Sequence, residues 1–158
     1  MTTQINTIKP EQADLVAPLF DAYRQFYGQP SNLDGARRFL LERLEREESV
    51  IFAVVENGHA LGFTQLYPSF SSVSMKFIWI LNDLFVVKDA RRRGIAARLL
   101  TAAREHAEKT GAARLLLSTA VDNKSAQALY EREGWQPDTG FLQYKFEIRR
   151  GTIQAGES

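Results

Sequence analysis

Residues 91–97 combine three consecutive arginines, one glycine and two alanines directly before a run with helical pattern. The N–H groups of a helix's first turn have no partners inside the helix, and the helix dipole favours negative charge there. Gly94 allows a ligand to approach the backbone closely, and arginine can bind phosphate through two parallel hydrogen bonds. The segment therefore predicts a phosphate-binding turn, and the alternative is a solvated basic turn before an ordinary amphipathic helix.

This turn differs from the two commonest phosphate-binding motifs. The chain has no G-x-x-x-x-G-K-[ST] sequence, which excludes a P-loop. Gly94 also lacks the partner glycines of a dinucleotide-binding turn. On residue types alone the segment is therefore unspecific, and its meaning depends on the elements around it.

The rest of the chain supplies strands and helices that position the turn. Asn57-Gly58 between two apolar runs predicts a hairpin, and Gly111 and Gly134 follow helical patterns as C-terminal caps. The order β-α-α-β-β-β-α-β-α-β predicts a mixed α/β fold around one central sheet. The predicted strands are residues 5–9, 50–56, 60–67, 76–87, 114–119 and 141–148, with a serine-rich turn at 68–74, and the predicted helices are residues 11–27, 35–46, 94–109 and 123–133.

Composition limits the functions that remain. The chain has 158 residues, 44% of them hydrophobic, which suits one domain with its own core. The net charge of +1 gives no overall attraction to nucleic acid or to an anionic membrane, so neither is an expected partner. The absence of cysteine excludes disulfides, thiolate metal sites and a cysteine nucleophile. No signal peptide is evident, and a cytoplasmic location is expected.

Three motifs in order resemble the GNAT superfamily of N-acetyltransferases. Arg91-Arg92-Arg93-Gly94-Ile95-Ala96 is similar to its Q/R-x-x-G-x-G/A signature, and Leu84-Phe85-Val86-Val87 resembles the strand before it. A third set of positions resembles the family's N-x-x-A-x-x-L-Y-x-x-x-G-[FW] segment: Asn123, Ala126, Leu129, Tyr130, Gly134 and Trp135. The order of elements matches over residues 3–150, which predicts one domain there and a polar, disordered tail at 151–158.

The resemblance implies a GNAT-like fold with acetyl-CoA as co-substrate and no metal. Its central mixed sheet, mostly antiparallel, would splay between two parallel strands, residues 76–87 and 114–119, with helices on both faces. Acetyl-CoA would lie in that gap, opened by a bulge near residues 84–85, with its diphosphate on the N–H groups of residues 92–97. The implied cofactor-binding residues are Phe85, Val86, Val87, Arg91, Arg92, Arg93, Gly94, Ile95, Ala96, Ala97, Asn123 and Ser125.

Specific roles follow from the same resemblance. The pantetheine arm would pair with the backbone of Phe85 and Val87 like an added strand, and the N–H of Val86 would polarise the thioester carbonyl. Tyr130 would protonate the departing CoA thiolate as a general acid; its alternative role is core packing.

Asp83 is the candidate that would collect an ammonium group and remove its proton, because an amine attacks only when neutral. Its alternative role is to order its loop. Asn82 stands where related enzymes carry a glutamate, and an amide cannot act as a base.

The acceptor side resembles the branch of the yeast histone and polyamine acetyltransferases. Residues 23–27 and 66–87 carry this likeness, which implies a primary amine, either a small molecule such as a polyamine or a lysine side chain, attacked directly in a ternary complex. Tyr23, Tyr27 and Asn82 are the expected substrate-binding residues, and Asp21 lies on the same helical segment.

Several alternatives remain at this stage. Phe70 and Trp79 are aromatic residues that would suit the interface of a homodimer. The arginine cluster with Arg98 would suit a nucleic-acid-binding helix, and a CoA-binding sensor without catalysis would carry the same cofactor motif. His59 and His106 are interpreted as surface residues. Ser118 and Thr119 have hydroxyls that could in principle accept an acyl group, but no histidine lies near them in sequence to activate them.

Overall fold

The computed structural model describes residues 3–149, so the predicted polar tail at 151–158 lies outside the described residues. Two short 3-10 turns, Pro10–Gln12 and Lys88–Ala90, precede longer elements. The strands are β1 Gln4–Thr7, β2 Val50–Glu56, β3 His59–Ser71, β4 Lys76–Val86 and β5 Leu115–Leu116, and the helices are α1 Ala13–Phe26, α2 Leu33–Glu45, α3 Ile95–Lys109 and α4 Lys124–Arg132.

The strands form one sheet in the order β1-β2-β3-β4-β5. Neighbouring strands are antiparallel except for β4 and β5, which are parallel and pair only at Trp79–Leu115 and Ile80–Leu116. The predicted hairpin is confirmed, since Asn57 and Gly58 join β2 to β3 with φ angles of 53° and 76°, as a two-residue hairpin turn requires. The predicted mixed and mostly antiparallel sheet is therefore confirmed.

Helices cover both faces of this sheet. On one face, α1 and α2 bury Val16 and Leu40 against Phe63 of β3. On the other face, α3 buries Leu99 and Ala103 in a cluster that includes the sheet residues Phe52, Val54, Leu66, Trp79 and Leu81. Burial of these apolar stripes holds the helices on the sheet, and with them the turn before α3.

A bulge at Asn82 reorients the end of β4. The pairing with β3 moves from Gln65–Asp83 to Leu66–Leu81, which leaves Asn82 as the extra residue. Because strand side chains alternate between faces, one extra residue moves those that follow to the opposite face. Leu81 thus packs on the α3 side, whereas Phe85 packs on the α1 side. The bulge was predicted slightly later, at 84–85.

The N-terminus of α3 packs closely against the sheet at Gly62 of β3. A Cβ atom at Gly62 would lie 3.0 Å from Ile95 Cγ2 and 3.0 Å from the carbonyl oxygen of Phe85. Real Cβ contacts are rarely this short, so glycine is required for this approach. The phosphate-binding turn is in this way fixed against the end of β4.

Four features differ from the prediction. β3 continues to Ser71, because Phe70 and its neighbours pair with β4 where a turn was expected. β5 contains two residues instead of six, and residues 141–148 form no strand. Trp79 is buried and donates to Thr110 Oγ1 at 3.0 Å, so only Phe70 of the two expected dimer-face aromatics is exposed.

No helix among residues 3–149 is long and apolar enough to cross a membrane.

His106 also differs from its interpretation as a surface residue. Its ring packs 5.0 Å from that of Trp79 and 5.6 Å from that of Phe52. Its Nε2 atom is buried without a hydrogen-bond partner among the described residues. Burial lowers the pKa of His106, with a further contribution from Lys109.

Candidate active site

The turn before α3 presents unpaired backbone N–H groups. Gly94 is the N-cap with φ 76°, a left-handed conformation that glycine adopts without strain, and no side chain caps the helix. The first bond of the helix runs from the Arg98 N–H to the Gly94 carbonyl at 3.1 Å. The N–H groups of Ile95, Ala96 and Ala97 therefore have no acceptor within the helix, and all three residues line a cavity.

The three arginines of the turn have different environments. Arg93 forms a salt bridge with Glu56 at 2.8 Å and does not line the cavity. Arg91 donates from Nε to the Val86 carbonyl at 3.0 Å and stacks near the Phe85 ring. Arg92 is exposed, lines the cavity and has no ion pair among residues 3–149. Arg91 and Arg92 both line the cavity, and of the two Arg92 has the guanidinium that is less engaged by other residues.

The cavity occupies the space where β4 and β5 separate. It has a volume of about 460 Å³ and combines the ends of β4 and α1 with the start of α3, the segment after β5, and α4. The strands diverge because their pairing ends at Ile80 and Leu116. All the predicted site residues except Asp83, Val87 and Arg93 line it, together with Phe26, Leu84, Ser118, Thr119, Ala126 and Arg132.

The register of β4 corrects the predicted backbone pairing. The Val87 N–H donates to the Leu61 carbonyl at 2.9 Å, and the Val87 carbonyl accepts from Ala90 at 3.0 Å. Since hydrogen-bonded pairs alternate in an antiparallel ladder, Phe85 also bonds to β3, whereas Leu84 and Val86 direct their backbone groups towards the gap. The predicted pairing of a ligand with the backbone of Phe85 and Val87 is therefore wrong. The backbone groups that face the gap are those of Leu84 and Val86, of which the Val86 carbonyl already accepts from Arg91 Nε.

Tyr130 of α4 lines the cavity from the side opposite β4. Its ring lies 6.3 Å from that of Trp135, in the cluster around α3. The hydroxyl makes no hydrogen bond to residues 3–149. Burial raises the pKa of Tyr130, with a smaller contribution from Tyr27. The phenol is consequently protonated at neutral pH and can donate into the cavity.

Asp83 is buried beside the cavity and not exposed in it. Its carboxylate accepts from Gln65 Nε2 at 2.8 Å and from Asn82 Nδ2 at 3.1 Å, and Thr64 Oγ1 donates to its carbonyl oxygen at 2.8 Å. Only 3% of Asp83 is exposed, and burial raises its pKa against the opposing effect of these hydrogen bonds. Asn82 and Tyr23 lie between this carboxylate and the cavity, because both line it and the Tyr23 hydroxyl donates to the Asn82 carbonyl at 3.2 Å.

Comparison with known proteins identifies this arrangement. The profile of the acetyltransferase (GNAT) family matches residues 16–135. The uncharacterized N-acetyltransferase YhfO of Bacillus subtilis is 54% identical, over 91% of this chain and 97% of its own length. A probable acetyltransferase of Haemophilus influenzae is 37% identical, over 78% of this chain and 83% of its own. The crystal structure of a probable acetyltransferase superposes with a TM-score of 0.88 at 46% identity, over 92% of this chain and 98% of that one.

The chain belongs to the GNAT family of acetyltransferases. The family assignment makes it an enzyme, an N-acetyltransferase, with the fold that its sequence motifs implied. The family assignment does not identify the amine that accepts the acetyl group.

The GNAT site has a second helix N-terminus at its edge. Asn123 is the N-cap of α4 and accepts from the Ala126 N–H at 3.2 Å, and the Ser125 hydroxyl donates to the same Asn123 oxygen at 3.4 Å. Both side chains line the cavity. With its oxygen engaged as a cap, Asn123 has its amide N–H groups available to a ligand. Among residues 3–149 no group of three or more possible ligands could hold a metal ion.

On the acceptor side, α1 places Tyr23 and Tyr27 at the cavity with ring centroids 5.2 Å apart. Tyr23 packs against Phe63 and Phe85, and its hydroxyl donates to the Asn82 carbonyl. Its substrate-binding role stays a prediction. Burial raises the pKa of Tyr23, with a contribution from the Asp83 charge.

Asp21 lies outside the acceptor side, although it is on the same helix. Its carboxylate accepts from the Asn32 N–H and from Ser31 Oγ, both at 2.7 Å, and thereby holds the connection between α1 and α2. The hydrogen bond from Asn32, followed by that from Ser31, lowers the pKa of Asp21. Its role is to fix the helix that carries the tyrosines.

Sequence reasoning missed Gln65. This residue is fully buried in β3, with Nε2 on Asp83 and with Oε1 lacking a partner among the described residues. A buried amide requires hydrogen bonds, so Gln65 in an otherwise apolar strand points to a polar group on the neighbouring strand. The sequence does show two polar residues, Thr64 and Gln65, inside the run Leu61-Gly62-Phe63-Thr64-Gln65-Leu66. This pattern could have indicated a buried polar partner such as Asp83.

Proposed function

We propose that this GNAT enzyme transfers the acetyl group of acetyl-CoA to a primary amine, which attacks directly in a ternary complex. One observation carries the proposal: the unpaired N–H groups of Ile95, Ala96 and Ala97 open onto the same cavity as the Tyr130 phenol, where β4 and β5 separate. An anion site and a proton donor on one cavity suit a thioester substrate with a diphosphate.

The proposed cofactor contacts use groups that are free in this chain. The start of α3 and Arg92 would bind the diphosphate, and the backbone groups of Leu84 and the N–H of Val86, on the edge of β4 that faces the gap, would pair with the pantetheine arm. A solved aminoglycoside N-acetyltransferase of the same fold, 18% identical with a TM-score of 0.77, is described in complex with CoA. This supports acetyl-CoA as the co-substrate at the level of the fold.

In the proposed chemistry, the amine nitrogen bonds to the thioester carbon and the carbon–sulfur bond then breaks. The Val86 N–H, which faces the gap, would stabilise the oxyanion of the tetrahedral intermediate. The Tyr130 hydroxyl would give its proton to the CoA thiolate and regain one from solvent, and solvent would also take the proton that the nitrogen loses as the amide forms. The raised pKa of Tyr130 supports this role, since an acid must remain protonated until the leaving group needs the proton.

The amine must also lose a proton before it attacks. A lysine-like amine with a pKa near 10.4 is neutral at pH 7 only at a cost of about 4.6 kcal/mol. We assign the recruitment of its ammonium form, and the acceptance of its proton, to Asp83. Because Asp83 is buried behind Asn82 and Tyr23, the proton would travel through the Tyr23 hydroxyl or a water molecule.

The acceptor is proposed to be a primary amine, as a polyamine, another small amine or a lysine side chain. Three distant relatives with 28–30% identity over 52–61% of this chain support a small molecule, since they are named for aminoalkylphosphonate, aminoglycoside and D-amino-acid acceptors. The last, from Saccharomyces cerevisiae, is the support for the yeast branch. Phe26, Tyr23 and Tyr27 give this side of the cavity an aromatic wall. We further propose that the enzyme acts in the cytoplasm.

An acceptor screen tests the proposal. Purified protein with acetyl-CoA would be given polyamines, amino acids, aminoglycosides, aminoalkylphosphonates and lysine peptides, while release of free CoA is followed. We expect turnover with at least one class of primary amine and none with its N-acetylated form. Binding of acetyl-CoA without CoA release for any amine would overturn the proposal and leave a CoA-binding protein without catalysis.

A further inference from the structure

Gln65 of β3 is an amide in a position that otherwise suits an apolar side chain. It is as fully buried as its strand neighbours Phe63 and Leu66. Its Oε1 atom has no hydrogen-bond partner within residues 3–149, and a buried polar atom without a partner costs stability. A methionine of similar length would fill the space without that cost. Packing therefore does not explain the amide, and the hydrogen bond that it does make is the remaining reason for it.

That hydrogen bond joins Gln65 to the carboxylate of Asp83. The two residues are direct partners in the register of β3 and β4, at the pair next to the bulge. Side chains of direct partners leave the sheet on the same face, and Gln65 Nε2 lies 2.8 Å from Asp83 Oδ2. The other oxygen, Oδ1, accepts from Asn82 Nδ2 at 3.1 Å. Each carboxylate oxygen thus has one amide donor, Gln65 from inside the protein and Asn82 from the cavity wall.

We propose that Gln65 is a positioning residue for the acetyl transfer, which holds Asp83 as an oriented carboxylate behind the cavity wall. The inference rests on the proposed function, in which Asp83 accepts the proton of the amine. Only an ionised carboxylate can accept that proton, and an N–H donor at 2.8 Å favours the ionised form. Burial acts in the opposite direction and raises the pKa of Asp83. Gln65 offsets part of this effect from a side of the carboxylate that solvent does not reach.

The other groups around Asp83 supply no positive charge for this task. The titratable side chains that face the carboxylate are phenols, Tyr23 of α1 and Tyr67 of β3. Burial raises the pKa of both, with a further contribution from the charge of Asp83, so both are neutral at neutral pH. Arg43 of α2 acts on Tyr67. Neutral hydrogen-bond donors therefore hold the charge, and among these donors Gln65 lowers the pKa of Asp83 most, against its burial.

A pH profile of near-isosteric variants tests the proposal. Gln65→Met removes the donor and keeps the length of the side chain. Thr64→Val is the matched control, because Thr64 is equally buried and donates to the backbone carbonyl oxygen of Asp83 at 2.8 Å, not to its carboxylate. The low-pH limb of kcat/KM, where Asp83 takes up a proton, should move to higher pH by about one to two pH units in Gln65→Met, the effect of one hydrogen bond to a charged group. It should stay in place in Thr64→Val.

The profile separates positioning from a loss of structure. At a pH below the limb, Gln65→Met should be about 10- to 100-fold less active than the wild type, as the displacement of the limb requires. At a pH well above the limb, kcat/KM of the variant should recover, because Asp83 is then ionised without help. A structural defect would instead lower kcat/KM by the same factor at every pH.

A second measurement does not depend on turnover. The carboxyl carbons of the aspartates would be labelled with ¹³C and titrated by NMR, with Asp83→Asn identifying the signal of Asp83. The midpoint of that signal should rise in Gln65→Met, and also in Gln65→Glu, where two adjacent carboxyls would share a proton. It should not rise in Thr64→Val. Circular dichroism shows whether each variant is folded, and Gln65→Glu keeps the comparison available if Gln65→Met is not.

Two results would overturn the proposal. One is an unchanged Asp83 midpoint in a folded variant of Gln65. The other is an equal loss of kcat/KM in Gln65→Met and Thr64→Val at every pH. A wild-type protein without turnover for any amine, in which the Asp83 midpoint still responds to Gln65, would refute the proposed reaction and leave the control of Asp83 by Gln65 standing. The positioning role and the reaction can thus fail separately.

Discussion

Replacement of Tyr130 by phenylalanine separates catalysis from cofactor binding. The substitution removes one hydroxyl that makes no hydrogen bond to residues 3–149 and keeps the ring against Trp135, whose centroid lies 6.3 Å away. Folding stability should thus change by no more than about 0.5 kcal/mol. Affinity for acetyl-CoA can lose at most one neutral hydrogen bond, about 1 kcal/mol or a factor of about five.

The loss of turnover should be much larger. A positioned general acid contributes about 10²- to 10⁴-fold to rate, or roughly 3–5 kcal/mol of the barrier. We therefore expect kcat of Tyr130→Phe to fall by that factor, while the Kd of acetyl-CoA changes less than about fivefold. The assay is release of CoA at saturating acetyl-CoA, with calorimetric titration of the cofactor in parallel.

Tyr27→Phe is the matched control, because Tyr27 lines the same cavity but is 55% exposed. Its kcat should stay within about fivefold of the wild type, the effect of at most one ordinary hydrogen bond. Equal losses of kcat in the two variants would refute the acid role of Tyr130. A Tyr130→Phe enzyme with unchanged kcat would do so as well.

Three further predictions concern groups whose environments differ. Burial raises the pKa of Asp83, so its ionisation costs stability as pH rises through that pKa, and Asp83→Asn should melt no lower than the wild type at pH 7.5. The same variant should lose about 10²- to 10⁴-fold in kcat/KM, and a lower melting temperature or full activity would contradict the prediction. In Gly94→Ala the new Cβ atom would meet no neighbouring atom within 4 Å, but the alanine would have to adopt φ 76°, which strains its backbone. Urea unfolding should show that the free energy of unfolding falls by about 1–2 kcal/mol, whereas unchanged stability would show that the turn relaxes. Burial lowers the pKa of His106, so the unfolded chain binds more protons and stability should fall as pH drops below about 6.5. Between pH 7.5 and 5.5 the urea midpoint of His106→Gln should fall less than that of the wild type, and equal falls would show that His106 does not cause the loss of stability.

Local patterns predicted the frame of the site well. Asn57-Gly58 has a backbone requirement that few other pairs satisfy, so the hairpin and its two strands were predictable. Asn32 and Asn123 cap α2 and α4, and caps of this kind are predictable because a cap depends on residues only three positions away. The turn at Gly94 was predictable for the same reason.

Features that depend on register were not predictable from local pattern. The extra residue Asn82 is visible only in the pairing of β3 with β4, and it decides which backbone groups of Leu84 to Val87 face the gap. The different environments of Arg92 and Arg93 depend likewise on Glu56, which is distant in sequence and forms a salt bridge with Arg93. Periodicity predicted a strand at residues 141–148, and the structure has none there, because periodicity does not say whether a partner strand lies alongside.

Binding of acetyl-CoA to Ala96 variants tests the central claim most directly. Ala96 lines the cavity in the first turn of α3, where a carboxylate favours the helix but would repel a diphosphate. Calorimetric titration should show Ala96→Glu binding acetyl-CoA on the order of 100-fold more weakly than Ala96→Gln, from like charges a few ångströms apart near the surface. Equal affinities of these two nearly isosteric variants would contradict the placement of the diphosphate at the start of α3.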